Sequence, residues 1–221
     1  MDGGFAEFLK APASHVVKIP EGLSSVEAAP LFCAGVTVYR SLKQAEISAG
    51  QRLAIFGIGG LGHLAVQIAR EMGAEITAID ISEDKLALAR SHGAARTLNA
   101  TTTSLVKALR ASGGVHVALV TSAAKAAYDM AFASLRPTGT LLVVGLPAES
   151  ICFPPVLMAA GEVRIRASAV GTRQDLREVL AMAGKGRIKC HVGTRSLAQA
   201  NEALDQLRQG QVSGRIVLAF P

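Results

Sequence analysis

Apolar residues in this chain fall into short unbroken runs separated by longer segments in which they recur at helical spacing. The runs at Leu53–Phe56, up to Asp80, Val115–Thr121, Thr140–Gly145 and Val163–Val170 predict strands, with a shorter one at Arg96–Leu98 and a last one at Gly214–Phe220. Between them, helical periodicity predicts an amphipathic helix after Gly62, then helices at Glu83–Ser91, Ser104–Arg110, Lys125–Leu135, Asp175–Ala183 and Leu197–Leu207. Ser24 followed by Glu27 has the spacing of a capping box, and Val26–Lys43 reads as two consecutive helices interrupted near Pro30 and Gly35. Gly93 stops one helix, and Pro137 with Gly139 turns the chain into the strand at Thr140. Residues 1–22 read as short strand pieces divided by Pro12 and Pro20, and residues 146–160 as a proline-interrupted excursion. Strands alternating with helices over short connections imply a doubly wound α/β fold, a parallel sheet covered on both faces in the order 3-2-1-4-5-6.

The stretch LAIFGIGGLGHLAVQIAREMGAEITAID, from Leu53 to Asp80, carries the chemistry. Its first strand ends in a run holding Gly57, Gly59, Gly60 and Gly62. Gly57 lets the chain turn sharply, Gly59 lets a pyrophosphate approach bare backbone, and Gly62 lets the helix pack close to the sheet. The phosphates would sit on free amides at the positive end of the helix. Asp80 closes the second strand, where the dinucleotide fingerprint places the carboxylate that accepts from the adenosine ribose and repels a 2′-phosphate. The glycine pattern alone also suits a methyltransferase or a ligand-free relative. The strand before, the helix after and the placed acid favour NAD.

Composition narrows the class. With 221 residues, half of them apolar, the chain can bury a sizeable core. No apolar run approaches a membrane span, and the N-terminus has neither the basic start nor the apolar centre of a secretory signal, which predicts a cytoplasmic protein without a membrane partner. Cys33, Cys152 and Cys190 are odd in number and widely spaced, as reduced thiols are. The net charge of +6 does not point to nucleic acid, because the basic residues are scattered among acids and only two tyrosines and no tryptophan are available for stacking. The same charge suits an anionic dinucleotide.

GGFAEF, LFCAGVTVY, GIGGLGH, AIDISEDKLALA, VVGLP, VGTRQDL and the closing GRIVL together resemble the zinc-dependent medium-chain alcohol dehydrogenases, especially the bacterial type. The match covers the later part of the family's chain. It implies that residues 1–22 are a remnant of the catalytic domain, 23–185 the NAD-binding domain, and 186–221 a helix and strand returning towards the catalytic domain. The resemblance implies that Cys33 is a zinc ligand, the one such ligand carried over. It places Thr37, Leu61, Gly145, Leu146, Ala169 and Val170 around the nicotinamide, Lys85 near the adenosine ribose, and Arg215 on the pyrophosphate. Five of these residues have a plainer reading. Cys33 would be a buried small hydrophobe, Thr37 a helix threonine bonded to backbone, Leu61 core, Lys85 a solvated helix lysine and Arg215 half of a surface salt bridge. The histidines at 15, 63, 92, 116 and 191 have no ligand spacing and read as structural or surface residues, with His63 capping or packing at its helix start.

The implied activity is NAD-dependent oxidation of an alcohol to an aldehyde or ketone. The zinc site is mostly absent from this chain, so the isolated chain is expected to be inactive, with a separate catalytic-domain chain or a longer product as the ways to complete it. The other reading is a non-catalytic dinucleotide-binding and self-association module, forming a dimer or tetramer.

Overall fold

In the computed structural model, which describes residues 4–220, six parallel strands form the main sheet. They are β1 (Arg52–Phe56), β2 (Glu75–Asp80), β3 (Arg96–Asn99), β4 (Val115–Val120), β5 (Leu135–Val143) and β6 (Arg164–Ala167), in the spatial order β3-β2-β1-β4-β5-β6. This is the doubly wound order expected from the alternation. The helices are α1 (Ser25–Ala28), α2 (Ala34–Gln44), α3 (Gly62–Glu71), α4 (Glu83–Ser91), α5 (Leu105–Arg110), α6 (Lys125–Ala133), α7 (Pro155–Gly161), α8 (Arg173–Gly184) and α9 (Ala200–Arg208). Two further strands, β7 (Val192–Arg195) and β8 (Arg215–Leu218), pair parallel in a sheet of their own. No helix of the described residues is long and apolar enough to cross a membrane.

The unbroken apolar runs follow from a sheet buried on both faces. Successive side chains of β1 enter opposite cores, Leu53 and Ile55 on the side of α2, α3 and α8, and Ala54 and Phe56 on the side of α5 and α6. Val117 and Leu119 of β4 join the first core, Ala118 and Val120 the second. β1 and β4 lie at the middle of the sheet, where the strand order reverses. The crevice at their C-terminal ends is where ligands bind in such sheets.

Several expectations need correcting. Among residues 4–22 no strand forms; a short 3-10 turn at Ala13–His15 stands in an exposed stretch with no strand beside it to complete a ladder. The remaining residues of that N-terminal expectation, 1–3, lie outside the described residues. The excursion at 146–160 contains α7, because Pro155 sits at the first helical position, where its missing N–H costs nothing. The helix expected to run to Leu135 ends at Ala133, and β5 begins at Leu135, running through Pro137 and Gly139 with a register shift opposite Val115 and Val117. β6 is shorter than the Val163–Val170 expected, and β7 was not foreseen. The capping box is present: Ser24 Oγ accepts from Glu27 N at 3.2 Å while the Glu27 carboxylate accepts from Ser24 N at 3.2 Å.

A second capping box fastens α8 to α2. Asp175 is buried, and its carboxylate accepts from Thr172 N at 2.9 Å and Thr172 Oγ1 at 2.7 Å. It also meets Arg40 Nη1 at 3.3 Å and Lys43 Nζ at 3.2 Å, both from α2. Burial pushes the Asp175 carboxyl up, but the Thr172 hydroxyl and amide and the Lys43 ammonium outweigh it and leave the group below its usual range. Asp175→Ala should therefore cost about 2 kcal/mol, the sum of a lost cap and weakened, partly exposed ion pairs. An unchanged urea midpoint would show that this junction is dispensable.

Candidate functional site

The glycine turn after β1 forms one wall of a cleft of about 390 Å³ lined by Gly57, Gly59, Gly60, Leu61, Asp80 and Lys85, with Thr121, Ser122 and the start of α6 opposite. Each glycine has a separate reason. Gly57 has φ of 94°, in the left-handed region that a side chain rarely tolerates. A Cβ on Gly62 would lie 1.9 Å from the Gly57 carbonyl oxygen, so α3 could not start so close to the strand with any larger residue. Nothing lies within 4 Å of where a Cβ on Gly59 would be, so this backbone faces open space. A Cβ on Gly60 would come 2.8 Å from Arg215 Cδ and Nε.

The amides of Gly59, Gly60, Leu61 and Gly62 donate to no backbone carbonyl among the described residues. They stand at the positive end of α3, the arrangement that holds phosphates. Arg215, carried on β8, lies against Gly60, and its buried Nε has no hydrogen-bond partner among the described residues. The surface salt bridge considered for Arg215 is not what forms. A buried guanidinium N–H without an acceptor is costly, and an anion on the turn would satisfy it.

Asp80 does two things. Its Oδ2 accepts from Ile58 N at 2.6 Å, and its Oδ1 from Ile81 N at 2.8 Å and Ser82 N at 3.1 Å, which locks the turn to the end of β2. A carboxylate has about four acceptor directions, so one is left for a ribose hydroxyl. Lys85 is half-buried in the same cleft and takes part in no ion pair among the described residues.

Of the residues assigned to the nicotinamide end, Leu61 lines this cleft and the others lie outside it. Thr37 is buried, and its Oγ1 donates to the Cys33 carbonyl at 2.6 Å, the plain backbone role. Gly145 packs on the end of β4, where a Cβ would lie 2.1 Å from Ser122 O, and its carbonyl accepts from the Tyr128 hydroxyl. Leu146, Ala169 and Val170 are exposed. Gly171 presses on α2 so closely that a Cβ would be 2.6 Å from Val36 Cγ2, which sets Ala169 and Val170 beside the helix that carries Thr37. Cys33 is exposed, contrary to its reading as a buried hydrophobe, and lines a second cleft of about 300 Å³ with Phe5, Pro30, Arg215, Ile216 and Leu218.

One set of contacts was not foreseen. His63, Gln67 and Arg70 lie along one side of α3 and bind alternate residues of the extended segment leading into β7. His191 N donates to His63 Nε2 at 3.2 Å, Gln67 exchanges bonds with Lys189 O at 2.9 Å and Lys189 N at 2.8 Å, and Arg70 Nη2 donates to Arg187 O at 3.0 Å. His63 Nδ1–H donates to Gly59 O at 2.9 Å, and His191 O accepts from Arg215 N at 2.9 Å. A continuous chain of bonds thus connects the glycine turn to Arg215. The available signal was polar residues at helical spacing, 63, 67 and 70, in a mostly apolar helix.

Residues 60–185 match the family described as zinc-binding dehydrogenase. The chain belongs to that family. It is 44% identical over 219 residues to an alcohol dehydrogenase of Geobacillus stearothermophilus, across 99% of this chain and 65% of the relative. An alcohol dehydrogenase of Rhizobium meliloti is 42% identical over 99% of this chain and 64% of its own length. Among solved structures, the alcohol dehydrogenase of Aeropyrum pernix superposes with a TM-score of 0.93 at 36% identity, over 100% of this chain and 66% of that one. An acetophenone reductase of Geotrichum candidum, solved in complex with NAD, gives 0.85 at 32% identity, over 92% of this chain and 58% of that one. The chain spans about 65% of the length of the curated relatives it matches. Among the described residues no three His, Cys, Asp or Glu side chains gather as metal ligands, and Cys33 alone cannot supply the three that a catalytic zinc takes from protein.

Proposed function

We propose that this chain is the NAD-binding part of an alcohol dehydrogenase, with residues 23–185 as the dinucleotide-binding domain between segments 1–22 and 186–221 that belong with a catalytic domain. Arg215 carries this reading: a buried guanidinium N–H, unpartnered among the described residues, laid against a glycine turn whose own amides find no backbone acceptor there. Together they form a cradle for a pyrophosphate. Asp80 and Lys85 sit in the same cleft, the carboxylate to accept from the adenosine ribose and the ammonium to flank it. Thr37, Leu61, Gly145, Leu146, Ala169 and Val170 would border the nicotinamide, which when bound supplies the carbon that takes hydride from the alcohol.

Turnover of alcohol needs zinc ligands beyond those present here, so we place catalysis in an assembly with a catalytic domain, on a separate chain or in a longer product. Cys33, exposed at the second cleft, would meet it there. The second reading, a non-catalytic dinucleotide-binding and self-association module, draws on that incomplete metal site and on β6. β6 is one of the two edge strands of the sheet, and an open edge can pair with a second copy.

Titration calorimetry tests cofactor choice. NAD(H) should bind the wild type at least about tenfold more tightly than NADP(H), a difference of ~1.4 kcal/mol, because a 2′-phosphate meets the Asp80 carboxylate. Asp80→Asn, checked for folding, should narrow that gap. Equal or tighter binding of NADP(H) by the wild type overturns the assignment.

A further inference from the structure

The glycine turn lies at the C-terminal end of the strands. At their other end a second, polar pocket of about 240 Å³ is lined by Gln51, His116, Arg136, Thr138, Thr140 and Arg164. Strand register puts these groups together, since Val117, next to His116, pairs with Thr140, and Thr140 pairs with Arg164. Neither Arg136 nor Arg164 forms an ion pair among the described residues. Glu75 stands opposite Arg52 in the β1–β2 register, is exposed, and bonds to neither arginine.

The hydrogen bonds at His116 do not close. Arg52 N donates to His116 Nδ1 at 3.1 Å, so a neutral ring carries its proton on Nε2. That Nε2–H faces Arg136 Nη1 at 2.8 Å, and a guanidinium is donor only. Moving the proton to Nδ1 satisfies Arg136 and sets the ring N–H against the Arg52 amide. A doubly protonated ring opposes both. No state of the imidazole satisfies its neighbours, and what is lacking is an acceptor. Thr138 at the rim has φ of 64°, a left-handed conformation uncommon for threonine, and strained backbone of this kind gathers at ligand clamps.

We propose that this pocket binds a small oxyanion, phosphate or the phosphate group of a metabolite, between Arg136, Arg164 and the His116 Nε2–H. An oxygen entering between Nε2 and Arg136 accepts from both, and the planar guanidinium fork matches two oxygens of a tetrahedral anion. Arg164 supplies the second charge, and the Thr138 and Thr140 hydroxyls are further donors at the wall. The site is separate from the dinucleotide cradle, to which it contributes no residue.

Histidine ring ¹⁵N resonances of the full chain, followed while inorganic phosphate is added at constant ionic strength, test this, with His116 assigned through His116→Gln. A saturable shift of the His116 signal at millimolar phosphate is expected. Arg136→Gln should weaken it at least about tenfold, as loss of a charge-assisted hydrogen bond does, and Arg164→Gln should weaken it too. Arg215→Gln should leave it unchanged, which separates it from phosphate on the glycine turn. Glycerol 3-phosphate in place of phosphate shows whether an esterified phosphate is preferred. No saturable shift, an equal shift with sodium chloride, or a shift that survives Arg164→Gln, whose side chain is exposed and whose loss leaves the core intact, overturns the proposal.

Discussion

Gly62→Ala is expected to lower folding stability by on the order of 3–5 kcal/mol, the range of severe single substitutions with a named clash. A methyl there would stand 1.9 Å from the Gly57 carbonyl oxygen and 2.8 Å from its carbon. Both are backbone atoms that cannot rotate away. Gly57 is itself held: its N–H donates to Ile79 O at 2.8 Å, and its carbonyl accepts from Thr121 Oγ1 at 2.7 Å. The gain in helix propensity from alanine, about 1 kcal/mol, is far too small to offset the displacement. Gly59→Ala is the matched control, because nothing lies within 4 Å of its methyl. That variant should unfold at nearly the wild-type urea concentration yet bind NAD at least about tenfold less tightly, its methyl standing where the proposed pyrophosphate approaches. If Gly62→Ala unfolds with the wild type, the close packing is not what requires a glycine there. If Gly59→Ala binds NAD normally, the cradle is elsewhere.

The parts of the fold that the sequence made legible were those set by local pattern within a buried sheet. Leu53–Phe56 and Val117–Val120 are short apolar runs of strand length, as strands covered on both faces are, and their alternation with helices pointed to the doubly wound order. The glycine turn was equally legible, since each glycine answers a separate steric demand of one short turn. β7 was not, because VGTR has no apolar run and is a strand only by pairing with β8, more than a dozen residues further on. α7 was hidden by its prolines, which break a helix in its interior but begin one at its first turn. At the site, the sequence led to the expectation that Asp80 accepts from a ribose. Its three bonds to backbone amides of the turn depend on how the turn folds back over β2. His63 looked like a residue for capping or packing, and its bonds to a segment more than a hundred residues away could not be read from spacing.

The other large effect expected is a loss of stability in mild acid that runs through His63. The ring is fully buried, and burial first, with His92, His191 and Arg215 adding to it against the Gly59 carbonyl, pushes its pKa from 6.5 down to about 4. In the unfolded chain the same ring takes a proton near 6.5. Between these values the unfolded state binds the extra proton, so stability rises with pH there. The contribution is fully present above 6.5 and is lost as pH falls through about 4. At ~1.4 kcal/mol per tenfold change in proton binding, the loss is about 3 kcal/mol. The geometry says why the proton is refused: Nδ1–H already donates to Gly59 O, and a second proton on Nε2 would confront the His191 amide that now donates to it. His92 and His116 are also held low by burial, so the decisive quantity is a difference between proteins. His63→Leu should be less stable at neutral pH, since Gly59 O and His191 N lose their partner, and its stability should fall less steeply than the wild type's between pH 6.5 and 4. NAD affinity should not change through His63 over this interval, because the folded ring stays neutral until pH falls to about 4. Parallel stability curves for the two proteins would mean that His63 keeps its proton state on unfolding and only fills space.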